Sequence, residues 1–262
     1  MDIKELKVSI GIDEKKNHPW EYARSKVILC ILKKYLKKSS KCYALDVGCG
    51  DAFFLTRFAD KYPDSELIAV DTAFSPEIIS KIKSKNSINN MSFLGHIQDV
   101  TTQEATIVFL LDVIEHIDDD ISFLKNLISQ TYISSNTVFI ITVPAFNSLF
   151  CYHDKWLEHH RRYSQKMLKL HAESAGLSCI EGGYFFTSLL IPRFFQNIFE
   201  KLKIYKRKLN EIDHGIGNYK GGALISFLYE KYLLLDFYFF RIFSFLGIKI
   251  PGLSTYVICN IK

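Results

Sequence analysis

The chain has 262 residues, 48% hydrophobic and 23% charged, which suits one large α/β domain with an elaboration better than two independent domains. Its six cysteines, at positions 30, 42, 49, 151, 179 and 259, include no C-x-x-C pair and no His/Cys grouping at zinc spacing. That argues against a disulfide framework or a structural metal; no metal is expected, and a reducing compartment fits. The net charge of +5 gathers in Lys33, Lys34, Lys37, Lys38 and Lys41 and again in Lys201, Lys203, Lys206, Arg207 and Lys208. Both runs fall on predicted helices and read as solvated faces, or as contacts for an anionic membrane surface or a phosphorylated substrate; without interleaved aromatics, nucleic acid is not expected.

Met1 to Lys7 lacks the apolar core of a signal peptide, so a cytoplasmic location is expected, with the inner face of the membrane as a variant of it. Residues 20–38 carry apolar side chains at helical period: Val27, Ile28, Ile31, Leu32, Tyr35 and Leu36. Tyr43 to Val47 read as a buried strand running into Gly48 and Gly50, where bare backbone approaches a ligand. Ala52 to Ala59 follow as an apolar-faced helix whose N-terminus points at that ligand. The third glycine of a dinucleotide fingerprint is replaced here by Phe53, and Asp46 before the turn suits a cationic ligand better than a pyrophosphate. A second strand, Leu67 to Val70, ends in Asp71, where such folds accept hydrogen bonds from ribose hydroxyls. Two acids at strand ends suggest a cationic nucleoside.

A weaker strand is predicted near 91–95, then two near-continuously apolar, β-branched runs at 106–111 and 137–143, as expected of parallel strands buried on both faces. Asp118, Asp119 and Asp120 open a helix between them, to about Ser129. Strand and helix alternate, so the sheet is mostly parallel. After Pro144, residues 145–163 form a loop crowded with Tyr152, His153, Asp154, Trp156, His159, His160, Arg161, Arg162 and Tyr163. It follows the carboxyl end of a strand, where ligands of open α/β sheets bind. Ser164 to Ala175 read as a helix stopped by Gly176, Ser178 to Phe186 as a strand, and Thr255 to Cys259 as the last strand. Residues 187–250 form a helical insertion between those strands. Its aromatic stretch, Phe227 to Leu246, is broken by Glu230, Lys231, Asp236 and Arg241 and is not a membrane span. It is expected to pack as a cap on the core, or to serve as a monotopic membrane contact or a homodimer interface.

Leu45-Asp46-Val47-Gly48-Cys49-Gly50, Ala69-Val70-Asp71 and Leu111-Asp112-Val113-Ile114-Glu115-His116 resemble, in order and spacing, the successive motifs of class I S-adenosylmethionine-dependent methyltransferases. The resemblance covers roughly residues 17–186 and the last strand. It implies a Rossmann-like methyltransferase fold: a mostly parallel seven-stranded sheet flanked by helices, formed by 1–186 plus 251–262, with 187–250 inserted before the last strand. It also implies that Asp46 and the turn Gly48-Cys49-Gly50 lie against the methionine and ribose part of the cofactor. Asp71, with Thr72, would then hold the ribose hydroxyls, Asp99 with Val100 the adenine, and the Leu111 backbone the methionine amino group. Ala52 stands where many members carry a further glycine.

His18-Pro19-Trp20-Glu21-Tyr22-Ala23-Arg24 is similar to an N-terminal segment of some members. Arg24 is expected at the methionine carboxylate and Trp20 at the sulfonium through cation–π attraction, unless Trp20 only staples the helix to the sheet. Asp154 to Ser164 resembles a segment of a bacterial branch associated with surface-glycan or secondary-metabolite pathways, its acid, His and Arg-Arg-Tyr falling on Asp154, His159, Arg161, Arg162 and Tyr163. Glu158 stands where relatives often have glycine. His159 is the expected general base and His153 the reserve, with Tyr163 in the same catalytic group. Arg161 or Arg162 would hold an anionic or polyhydroxylated acceptor, unless they pair with Asp154 or Glu158 to shape the loop. His116 is expected to support its turn. Together these imply O-methylation of a small polar acceptor, such as a sugar or phosphate-linked glycan precursor. The alternatives are N-methylation, a lipid-like or natural-product acceptor, and a non-catalytic cofactor-binding partner protein.

Overall fold

The computed structural model describes residues 18–36, 41–85, 90–101, 104–202 and 221–262. Lys37, Lys38 and the basic run from Lys203 to Lys208 lie outside the described residues. The strands are β1 (Tyr43–Val47), β2 (Glu66–Val70), β3 (Met91–Leu94), β4 (Ile107–Leu111), β5 (Val138–Pro144), β6 (Leu177–Phe185) and β7 (Ser254–Ile261), in the order β3-β2-β1-β4-β5-β7-β6. β1 to β5 pair in parallel, and β7 runs antiparallel to both β5 and β6. This is the seven-stranded Rossmann-like methyltransferase arrangement expected from the motifs. The chain builds outward from β1 to β3 and then returns to lay β4 on the other side of β1. The resulting switch point opens a crevice at the strands' carboxyl ends.

Pleating explains the two cores. Ile107, Phe109 and Leu111 of β4 join one cluster with Phe54 and Phe58, while Val108 and Leu110 join the other with Leu124, Leu127 and Leu168. All five β4 residues are buried, which is why that strand reads as an uninterrupted apolar run. On the first face lie α1 (Pro19–Leu32) and α2 (Phe53–Ala59); α3 (Pro76–Lys85) leads into β3. α1 ends at Leu32 and passes into turns, earlier than the predicted end at 38. The second face carries α4 (Asp120–Ile128), capped by Asp119 accepting from the Ser122 N–H at 3.0 Å, and α6 (Gln165–Ala175). α6 is capped by Ser164 and stopped by Gly176 at φ +108°, as the sequence predicts. A short helix, α5 (Tyr152–Trp156), forms inside the loop.

α7 (Leu190–Lys201) and α8 (Ala223–Phe245) occupy the insertion. α8 lies along α1, burying Leu233 and Phe237 in the first core; its Asp236 accepts the N–H groups of Thr187 and Ser188 at 2.9 and 2.8 Å. Its outer face is bare. Ile225, Leu228, Tyr232, Leu235, Phe239, Ile242 and Leu246 are all exposed. Core packing therefore accounts for one side of α8 only. No described helix is long and apolar enough to cross a membrane.

Candidate active site

A cleft of about 900 Å³ opens at the carboxyl ends of β1, β2, β4 and β5. Its floor is the glycine turn. The Gly48 N–H reaches the Val70 carbonyl at 2.8 Å, and at φ +72° a Cβ on this residue would lie 2.7 Å from Val113 Cγ2. The Gly50 N–H donates to Asp71 Oδ2 at 2.9 Å and the Ala73 N–H to Oδ1 at 3.0 Å. Each oxygen of this buried carboxylate on the cleft floor thus accepts one backbone bond. Ala52, where the resemblance puts a glycine, adopts φ +55° to launch α2. Cys49, Thr72 and Leu111 also line the cleft.

Asp46 is the most unusual group here. Its carboxylate is buried against the cleft wall, and Oδ1 has no hydrogen-bond partner. Burial pushes its pKa up to about 8, against a lowering pull from Arg24. Arg24 lines the cleft, as does Trp20. Its guanidinium pairs with Asp112 and lies 4.7 Å over the Trp20 ring, so the cation–π partner of Trp20 is Arg24. Asp112, held at φ +60° with Oδ1 accepting from Thr142 Oγ1 at 3.0 Å, had no role assigned although it stands inside a recognised motif.

The histidine loop supplies the opposite wall. His159 Nδ1 lies 3.0 Å from Asp154 Oδ1. Asp154 is fully buried and also accepts from Arg162 Nε at 2.8 Å, the Arg193 guanidinium at 3.1 Å and the Cys151 N–H at 2.9 Å. Burial alone would raise its pKa; the His159 bond and the two guanidiniums outweigh this and hold it well below the usual carboxylate range. His153 also lines the cleft, but burial and Arg193 lower its pKa to about 4, which makes it a weak base. The His116 and His159 rings meet edge to face at 4.5 Å, so His116 does more than support its turn.

Four expected site residues lie elsewhere. Arg161 is turned onto the β4–α4 connection, donating to the carbonyls of Ile117 at 3.1 Å and Asp118 at 2.7 Å. Tyr163 is buried, its hydroxyl bonded to Asp120 Oδ2 at 2.6 Å and the Ile114 carbonyl at 3.2 Å. Neither lines the cleft, so neither is placed to touch an acceptor. Arg162 does line it, but its Nε is committed to Asp154. Asp99 and Val100 sit just past the cleft edge, which is formed by Gly95, His96, Ile97 and Gln98. Glu115, unassigned from sequence, is fully buried in the wall beside His116. No described residue of 187–250 lines the cleft; α7 contributes indirectly, through Arg193.

The fold has many solved counterparts. Coclaurine N-methyltransferase, bound to N-methylheliamine and S-adenosylhomocysteine, aligns over 99% of this chain and 79% of its own, with 15% identity and TM-score 0.54. Phosphoethanolamine N-methyltransferase 2 of Haemonchus contortus, in complex with phosphomonomethylethanolamine and S-adenosylhomocysteine, aligns over 99% of this chain and 57% of its own, with 12% identity and TM-score 0.55. LepI in complex with SAM aligns at 17% identity and TM-score 0.47 over 58% of this chain, which spans only 42% of LepI. No curated protein matches the chain. Residues 20–182 match the model of the methyltransferase domain, from the Trp20 helix through the glycine turn, the strand-end acids and the histidine loop, and the chain belongs to that family.

Proposed function

We propose that the protein is an S-adenosylmethionine-dependent methyltransferase that O-methylates a small polar acceptor, of which a sugar or phosphate-linked glycan precursor is the type favoured by the resemblance of the Asp154–Ser164 loop. The observation that carries the cofactor is Asp46: a buried carboxylate oxygen without a hydrogen-bond partner, on the wall of an open cleft, fits a cationic ligand. When bound, S-adenosylmethionine supplies a methyl group made electrophilic by its sulfonium. Asp46 answers the ligand's positive charge, and Asp71, held in the cleft by the Gly50 and Ala73 N–H groups, accepts the ribose hydroxyls. Gly95 to Gln98 form the edge where the base rests, with Asp99 and Val100 supporting their turn. Arg24, paired with Asp112 and lying over Trp20 on the cleft wall, is the cation proposed for the methionine carboxylate.

At the acceptor end, the buried Asp154 fixes the orientation of His159 and directs Nε2 away from itself. That nitrogen takes the proton of an acceptor hydroxyl, a contribution worth about 10²- to 10⁴-fold in rate. Arg162 and Arg193 hold Asp154 ionised instead of binding the acceptor. We also propose that the bare face of α8 pairs with a second copy, since Ile225, Leu228, Tyr232, Leu235, Phe239 and Ile242 are exposed at alternating spacings of three and four, the pattern of a helix–helix seam, within a wider apolar face that also exposes Leu224, Phe227 and Tyr238. Calorimetric titration with S-adenosylmethionine and S-adenosylhomocysteine tests the cofactor: micromolar binding that Asp71→Ala weakens is expected. Folded protein that binds neither would overturn the reading. With the acceptor in hand, His159→Ala should lower turnover and leave cofactor affinity intact.

A further inference from the structure

Glu115 and His116 stand on the tight turn after β4, 44 and 43 residues before His159 in the chain. Three bonds bolt that turn to the histidine loop: the His160 N–H to the Glu115 carbonyl at 2.8 Å, Arg161 to the Ile117 carbonyl at 3.1 Å, and the Tyr163 hydroxyl to the Ile114 carbonyl at 3.2 Å. The result is that one carboxylate oxygen of Glu115 and one ring nitrogen each of His116 and His159 lie within 4.8 Å of one another, on the cleft wall. We infer that these three side chains form a binding site for a divalent cation, facing the acceptor.

Several features fit. Two imidazoles and a carboxylate favour a first-row ion, Zn2+ most strongly and Mn2+ more weakly, over Ca2+ or Mg2+, which prefer oxygen ligands. Three protein ligands on one side of an open cleft leave coordination positions for water or an acceptor oxygen, the arrangement of a catalytic rather than a structural site. A cation about 2.0 to 2.2 Å from each ligand sets them roughly 3 to 3.5 Å apart, so atoms within 4.8 Å have to draw in by at most roughly 1.5 to 2 Å. His159 already has the carboxylate partner that metal-binding histidines commonly carry, with Asp154 on Nδ1 fixing the tautomer that leaves Nε2 for the ion. Arg162 and Arg193 neutralise Asp154 from behind, so it supports His159 and does not compete as a ligand.

The inference rests on the proposed function for where the acceptor lies, and it refines the part played by His159. In the cation-free protein Nε2 takes the hydroxyl proton. A seated ion would be held by Nε2 and would supply Lewis acidity to an acceptor hydroxyl, whose proton would then leave to solvent instead of to His159.

The test is titration of chelator-stripped, full-length protein with Mn2+, followed by electron paramagnetic resonance of the free ion and by calorimetry, with Zn2+ as the second ion. Wild type should bind one ion per chain at micromolar concentration. Glu115→Gln and His159→Gln should each weaken binding at least tenfold, and Asp154→Asn by about 10- to 100-fold through the freed imidazole. S-adenosylhomocysteine affinity, measured on the same samples, should change little and reports that each variant is folded. Absence of ion binding by wild type that binds S-adenosylhomocysteine would overturn the metal site and leave the methyltransferase reading standing. Ion binding that the variants do not alter would mark it as adventitious. Site-specific ion binding without any cofactor binding would keep the metal site and overturn the cofactor.

Discussion

Asp46 gives cofactor affinity a pH dependence with a definite sign. Its surroundings are Arg24 from α1, which favours the carboxylate, and Asp71 and Asp51, which oppose it; burial outweighs them and sets the pKa near 8. At pH 6.5 only about 3% of the empty protein carries the charge a cationic ligand needs, against about three-quarters at pH 8.5. Affinity for S-adenosylmethionine or S-adenosylhomocysteine should therefore rise roughly 25-fold over that span, equivalent to about 2 kcal/mol. The assay is calorimetry across pH on wild type and on Asp46→Asn, which keeps the shape and removes the titration. The difference between the two profiles subtracts any titration of the ligand's own amino group. Stability must move the other way. The folded, unliganded protein holds a proton that the unfolded chain releases above its ordinary aspartate pKa, so stability falls as pH rises from about 4 through 8. Asp46→Asn should lose that contribution. A wild-type affinity profile that matches the variant's would refute the assignment of Asp46 as the answering charge.

Substitutions at four other positions test the scaffold. Gly48→Ala places a Cβ against Val113 at a φ of +72° and should cost about 1 to 3 kcal/mol in denaturant unfolding, with weaker cofactor binding; a loss under about 0.5 kcal/mol would mean the turn relaxes freely. Glu158, at φ +62°, occupies the left-handed region that favours glycine. Glu158→Gly should raise stability by up to about 1 kcal/mol, the relieved strain being partly offset by the entropy of glycine, whereas Glu158→Val should lower the melting temperature. On α8, Leu235→Glu with Phe239→Glu should convert a dimer to a monomer in sedimentation equilibrium. A wild-type monomer that instead pellets with anionic vesicles would make the face a membrane contact.

The parts legible in the sequence were those specified locally. A strand buried on both faces is apolar throughout, as in β4; a turn that brings backbone to a ligand needs glycine, as at Gly48 and Gly50; helix caps are single residues, as at Ser164 and Gly176. What escaped depends on distant partners. Arg24 and Asp112 are 88 residues apart, and Asp154 and Arg193 are 39 apart, so neither pair has a pattern to announce it. Crowding in the loop likewise says nothing about direction. Arg161, Arg162 and Tyr163 are consecutive, yet they point to the β4–α4 connection, to Asp154 and to Asp120. On α8, helical period identified an apolar helix without revealing that one of its sides would remain exposed.

The charges that looked most catalytic in the sequence are largely structural, and energetics explains why. Asp154 is removed from solvent, and an isolated buried carboxylate costs several kcal/mol unless donors surround it. Arg162, Arg193, the Cys151 N–H and His159 supply those donors, so the two arginines are used up in keeping one anion buried. A rigid anion then fixes His159, whose second nitrogen stays available in the cleft. Asp46 is treated in the opposite way: it is buried with too few donors, and its pKa rises until a cation arrives. One carboxylate is satisfied in the empty protein so that a side chain is held in place, whereas the other is left wanting so that a ligand is drawn in. In the proposed reading, the anion satisfied by Arg162 and Arg193 positions His159, and Asp46 answers the charge of the cofactor.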